Sequence, residues 1–530
     1  MNGRSQSFIH LKPSTILPNS QWSRTTNKWN NNTIKYNNNG NNINILNQAS
    51  HSTIPSKNTQ ESRGVGNKKH TNIPLMLRIP LLKFPSVIGH STSRINRLHN
   101  EDTYSINILK LPTRLEQLKL LRDPKYVDRN QDKKSVLNVS IFDGHGGNGR
   151  VSKLLAESFH EELVQNNPTK ENFFHLLEKY VELIGGSYWE KLNSTRDLFF
   201  DKFIKNCNTK EESVLYGSNK FGSRIIFDKF GNIIDKTHLL NVHERLRIYY
   251  TFLKFDLEKC CGFEKLTNDN DMSFENRIKK FPGGSTASSI FLSSYDESLA
   301  LDESFFVDPK GLLKLVVTQV GDTRIILCDQ NGIAHPLTKI HHPSSERESE
   351  RLNIDEGKRR QKRTNLESDE NAYEQDKDAF GESRFLNNFA NTRAFGDLLG
   401  KREGLSCEPD IYSYLVGSTS QLPHSEKSKL QFGGEECFIC LVSDGVSDLM
   451  PDQELVDLIT STVNMRGLKN ATAQFVSEEV IKYIQAIGGK HADNATCVVL
   501  RLPNWGNWPM IDRTGALREE KLLNAQQGDR

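Results

Sequence analysis

Residues Val139 to Leu155 read VSIFDGHGGNGRVSKLL. An apolar run ends at Phe142, a carboxylate and an imidazole follow among glycines, and Val151, Leu154, Leu155 and Phe159 resume at helical spacing. The pattern predicts a buried strand, a loop whose backbone crowds against something, and a helix anchored on the core. A lone Asp-Gly after a strand is ordinarily a turn, because Asp caps its own backbone and Gly takes positive φ. Here the design recurs. The runs VLNVSIFDGHGG, LLKLVVTQVGDTRIILCD, CFICLVSDGVSDLM and ADNATCVVLRL place Asp143, Asp322, Asp444 with Asp448, and Asp493 at or beside strand-like ends, and NEDTY adds Glu101 and Asp102. Carboxylates gathered in this way repel one another, so the cluster persists when cations neutralise it. Oxygen ligands without accompanying Cys or paired His select Mg²⁺ or Mn²⁺. Two such ions roughly 3.5 to 4 Å apart share a carboxylate and activate a water between them, which is hydrolase chemistry.

The rest of the chain narrows the class. Over 530 residues, with 36% hydrophobic and 25% charged, one catalytic-sized domain with extensions is expected. No run is apolar for long enough to span a membrane, and a net charge of +3 does not point to nucleic acid. The eight cysteines lack metal-ligand spacing. The one C-x-x-C pair, Cys437 and Cys440, lies in a strand-like run and is expected to be core, in a reducing compartment. Residues 1–75 are Asn-rich and predicted to be without structure. Across residues 1–100 Glu61 is the only acid against thirteen Lys and Arg. This acidic-poor, Ser-containing leader has the composition of a mitochondrial presequence, although a clear amphipathic Arg helix is missing. The alternative is an Asn-rich tail without an address on a cytoplasmic protein.

RLHNEDTY, FDGHGG, GGSTASS, VGDTRIILCD, LTKIHHPSSERE, NTRAFGD, VSDGVSDLM and DNATCVVL occur in the order of the motifs of the metal-dependent (type 2C) protein serine/threonine phosphatases, a family that the chain resembles from Gly89 to Leu502. The resemblance implies an α+β fold, a four-layer α/β/β/α sandwich of two antiparallel sheets flanked by helices, with a dinuclear metal site at one end. It implies that Asp143 bridges two tightly bound Mg²⁺ or Mn²⁺ ions, that the Gly144 carbonyl, Asp444 and Asp493 complete the ligands, and that Glu101 and Asp102 order bound waters. Asp322 and Asp448 would hold a weaker third ion. Arg97 would bind phosphate through its fork of donors, and His145 would protonate the leaving oxygen. Thr286, Arg393 and Asp397 are expected to support the site and not to take part in the chemistry. The family's usual Trp is replaced by Ser447, and Thr392 stands where Ser is commoner. The long interval between Asp143 and Thr286 and the charged segment at residues 356–380 are expected to be surface insertions. Residues 76–505 would then be the catalytic domain and residues 506–530 a tail. Helices are expected within residues 172–192, 244–263 and 471–489, with another opened by Pro451.

The implied substrates are phosphoproteins, acted on by a monomer. A presequence before this domain resembles the mitochondrial phosphatases of yeasts, some of which act on the pyruvate dehydrogenase complex. The competing reading is a phosphatase-like binding module that kept the fold and lost the chemistry, since fold alone does not fix function. The complete set of aspartates favours the enzyme.

Overall fold

The computed structural model describes residues 6–11, 75–80, 87–112, 133–205, 225–235, 239–264, 273–295, 311–352, 384–490 and 492–527. Most of the Asn-rich leader and the charged segment 356–380 lie outside the described residues. Gln6–Leu11 pairs antiparallel with Leu75–Pro80.

Ten strands form two five-stranded sheets: β1 (Ile88–Ser93), β2 (Thr103–Pro112), β3 (Lys133–Phe142), β4 (Ala287–Ser294), β5 (Leu312–Val320), β6 (Arg324–Cys328), β7 (Ala334–Pro336), β8 (Asp410–Gly417), β9 (Phe438–Val442) and β10 (Ala495–Arg501). The first sheet has the order β8-β5-β4-β3-β2 and the second β7-β6-β9-β10-β1. Every neighbouring pair is antiparallel.

Side chains alternate across a strand, and here both faces are covered, so the strands are apolar runs and not simple alternations. In β3, Leu137, Val139 and Ile141 join a cluster shared with Ile325, Leu327, Ile439, Leu441 and Val498 of the other sheet. Val136 and Phe142 point the opposite way, into a cluster with Phe159, Phe173, Trp189 and Phe252. In β9, Phe438, Cys440 and Val442 meet Val456, Ile459, Val476 and Ile484.

The helices that supply those partners are α1 (Arg150–Leu154), continued by a π-turn at Leu155–Phe159 and by α2 (His160–Gln165), then α3 (Lys170–Leu183), α4 (Ser187–Ser194), α5 (Val242–Phe255) with a π-turn at Asp256–Cys260, α6 (Asp452–Arg466), α7 (Ala473–Ile487) and α8 (Gly515–Gln526). Thr169 and Asn241 close capping boxes at the starts of α3 and α5. Gly185 and Gly186, both at positive φ, separate α3 from α4, so the helix expected over 172–192 is two. Pro451 is the N-cap of α6, and α7 ends before Gly488.

Two expectations change. The long interval after Asp143 is only in part a surface insertion, because Phe173, Leu177, Tyr180, Trp189, Phe252 and Phe255 from it are buried. The segment taken as a tail carries α8, with Arg518 buried and Lys521 paired to Glu454 of α6 at 2.7 Å. Cys437 and Cys440 are buried free thiols, as a core assignment requires. Among the described residues no helix is long and apolar enough to cross a membrane.

Candidate metal centre

Asp143 follows the last residue of β3, Asp322 lies in the turn between β5 and β6, and Asp444 follows β9. Asp143 is therefore fixed by the first sheet, Asp444 by the second and Asp322 by the turn that joins the two, and one carboxylate oxygen from each lies within 4.8 Å of the others. Among the described residues no lysine or arginine pairs with any of them. Burial pushes the Asp143 carboxyl well above the usual range, with the charges of Asp444, Asp102 and Asp322 adding to the effect. Asp444 is raised likewise, by burial first and then by Asp322. The Oδ1 atoms of Asp102 and Asp322 are buried without a hydrogen-bond partner among the described residues. Packed, partly unpartnered oxygens that repel one another are what hard divalent cations neutralise, so the donor set fits Mg²⁺ or Mn²⁺.

A cleft of about 870 Å³ opens over this cluster, lined among others by Arg97, Glu101, Asp143, Gly144, His145, Asp322, Asp444 and Asp493. Arg97 donates to Asp493 Oδ2 at 2.7 Å. Glu101 accepts from the Gly146 N–H at 3.2 Å, and its own N–H donates to Asn494 at 2.8 Å. Asp102 is buried behind the cleft, where its Oδ2 accepts from Ser443 and Thr496, both at 2.8 Å. Burial holds Asp102 up at about 6 against those two hydrogen bonds. Asp448 is exposed and does not line the cleft, although its charge reaches Asp444.

The loop glycines have separate reasons. Gly146, Gly147 and Gly149 take positive φ, with Asn148 between them at 56°. A Cβ on Gly144 would fall 2.5 Å from the Glu101 carbonyl oxygen. The chain thus turns back within four residues and starts α1, whose Ser152 Oγ donates to that same carbonyl at 2.5 Å.

His145 Nε2 and Asp397 Oδ2 are 2.6 Å apart. A three-stranded ribbon brings them together, with Gly144–His145 and Phe395–Gly396 pairing on either side of Gly284–Ser285. Any side chain at Gly284 would collide with the Asp397 carboxylate. Burial pushes His145 down, but the charge and hydrogen bond of Asp397 outweigh it and hold the imidazole at about 9. The ring is 44% exposed, so water screens part of that pull. Asn391 was missed outright, and its Nδ2 donates to Asp322 Oδ2 at 2.7 Å. An asparagine inside a loop motif carries no sequence signal for such a contact. Thr286 supports the site through its backbone, donating to the Asp143 carbonyl at 2.9 Å. Arg393 is structural, held by buried Glu348 at 2.6 Å.

The protein phosphatase 2C family profile matches residues 185–493. Protein phosphatase 2C homolog 4 of Schizosaccharomyces pombe is 30% identical over 447 residues, which cover 84% of this chain and 88% of that protein. The chain belongs to the protein phosphatase 2C family. It is thereby a metal-dependent protein serine/threonine phosphatase. A Xenopus laevis relative named protein phosphatase 1K, mitochondrial, is 28% identical over 37% of this chain and 41% of its own. The solved serine-threonine phosphatase 2C of Toxoplasma gondii aligns at 15% identity and a TM-score of 0.37, covering 78% of this chain and 94% of that one.

Proposed function

We propose that the chain hydrolyses phosphoserine and phosphothreonine in proteins at a dinuclear site at one end of an α/β/β/α sandwich. The observation that carries this reading is the trio Asp143, Asp322 and Asp444, converging within 4.8 Å with no lysine or arginine paired to them among the described residues. The tightly bound pair of Mg²⁺ or Mn²⁺ ions would be held by Asp143, the Gly144 carbonyl, Asp444 and Asp493, and a weaker third by Asp322 and Asp448. When bound, the ions supply charge neutralisation and an acidified water. Glu101 and Asp102 order the waters around them. Arg97, at the cleft rim, turns from Asp493 to the phosphate, where its fork of donors meets two oxygens. His145, kept protonated by Asp397, delivers a proton to the leaving serine or threonine oxygen.

A binding module that had lost the chemistry would have no use for this full carboxylate set. The acidic-poor leader and the mitochondrial relative support a mitochondrial location and substrates there. The deciding experiment pairs Mn²⁺ calorimetry with phosphopeptide hydrolysis. Asp143→Asn is expected to lose tight metal binding and turnover beyond rescue by excess Mn²⁺, whereas Asp322→Ala keeps two tight sites and turns over more slowly. Full activity of Asp143→Asn, or equal behaviour of the two variants, overturns the reading.

A further inference from the structure

A second cavity, of about 470 Å³, opens among α4, α5 and the edge strand β8, and it shares no lining residue with the metal cleft. That size falls in the range of small-ligand sites, roughly 300 to 1,000 Å³. Its lining is cationic, since Lys191, Lys202, Arg245, Arg347, Arg351 and Arg393 face only Glu350, Glu408 and Asp410. Three of those cations are already neutralised. Arg347 pairs with Asp410 at 2.6 Å, while Arg351 and Arg393 reach buried Glu348 at 2.8 and 2.6 Å.

The other three are not. Lys191 and Lys202 are exposed at the mouth and have no carboxylate partner among the described residues. Arg245 is 6% exposed, and its guanidinium donates to the carbonyls of Ile204, Leu240 and Lys205 at 2.7, 2.7 and 3.3 Å. Carbonyl dipoles take three of its five N–H donors without cancelling its charge. A buried charge without a counter-ion is destabilising, and an anion brought beside it removes much of that penalty. Between these cations the cavity is lined by Tyr188, Phe199, Phe203, Tyr249 and Tyr412. Arginine and lysine beside aromatic rings suit a ligand that joins a dianion to a planar group.

We propose that this cavity binds a small organic dianion, a phosphate-bearing compound with an aromatic or planar ring, as a site separate from the catalytic cleft. The phosphate lies against Lys191, Lys202 and Arg245, and the ring against the tyrosines. The two exposed lysines are the natural handle for a test, because reversing their charge leaves the buried packing intact.

Phenylphosphonate is a probe that carries both features and has no phosphoester bond to hydrolyse; methylphosphonate carries the dianion alone. Calorimetric titration of the Mn²⁺-loaded full chain with phenylphosphonate is expected to show two binding events, one lost in Arg97→Ala and the other in Lys191→Glu/Lys202→Glu. The lysine variant should keep wild-type phosphopeptide turnover. Methylphosphonate should bind the second site at least tenfold more weakly, and equal binding of both probes would remove the ring from the proposal and leave a plain anion site. A single event, abolished by Arg97→Ala and unmoved by the lysine reversals, overturns the site while leaving the phosphatase reading untouched.

Discussion

At the scale of single residues, the sequence reveals which side chains can act but not which ones hold them. Asp143, Asp322 and Asp444 are legible because strand ends place them and their chemistry repeats. Asp397 is not, since its partner His145 lies 252 residues away and meets it only through the ribbon threaded past Gly284. A hydrogen bond of 2.6 Å donated by an imidazole to a carboxylate sets both the orientation and the charge of the ring. Asp397→Asn keeps the size and removes the charge. It is expected to lower kcat about a hundredfold, the lower end of what general acid catalysis contributes, with KM for phosphopeptide and Mn²⁺ affinity little changed. Steady-state kinetics beside Mn²⁺ calorimetry would separate the outcomes. A raised KM with unchanged kcat would place Asp397 in substrate binding instead.

At the scale of elements, strands were legible as apolar runs and helices by their period, but the contacts that aim the ribbon were not. The π-turn after α5 swings Asp256 inward, where its Oδ1 accepts from the Gly396 N–H at 2.7 Å and its Oδ2 from Tyr180 at 2.9 Å. Lys401, wholly buried, pairs with it at 2.8 Å. Burial raises the Asp256 carboxyl, and Lys401 pulls it back. This pair therefore clamps the residue next to Asp397, and no pattern in the sequence marks a lysine as interior. Removing one member strands the other charge. Lys401→Met is expected to destabilise the domain by about 3 to 5 kcal/mol, measured by urea unfolding of the Mn²⁺-loaded chain. Lys401→Met/Asp256→Asn should recover a substantial part of that loss, because no net charge then remains buried. A double variant as unstable as the single would assign the effect to packing.

At the scale of the whole molecule, alternate residues of the central strands divide between different clusters, which is why the sheets appear in the sequence as solid apolar runs. The docking of α8 was not legible, since beside the apolar Leu522 and Ala525 its anchors are polar, Arg518 to Asp512 and Lys521 to Glu454. The leader belongs to this scale too: deleting residues 1–75 is expected to leave phosphopeptide turnover intact and to move the protein to the cytosol on cell fractionation, and continued mitochondrial recovery would defeat the presequence reading. Stability as a function of pH tests the packing between the sheets' ends. Glu436 is buried just before β9, and its carboxyl accepts from the N–H groups of Gly417, at the end of β8, and of Gly434, at 2.7 and 3.0 Å. Burial outweighs those bonds and raises its pKa from 4.5 to about 7. A folded-state pKa above the unfolded one means that the native state binds the proton more tightly. The stability this confers is fully present below pH 4.5 and is lost as pH rises through about 7. The shift corresponds to roughly 3 kcal/mol. Glu436→Gln retains an acceptor and cannot ionise, so the variant should gain on the wild type by up to about that amount between pH 4.5 and 7, and hold the gain above it. Urea unfolding of both proteins across that range, at one Mn²⁺ concentration, gives the difference directly, and parallel curves would show that Glu436 stays charged on the strength of its two backbone donors.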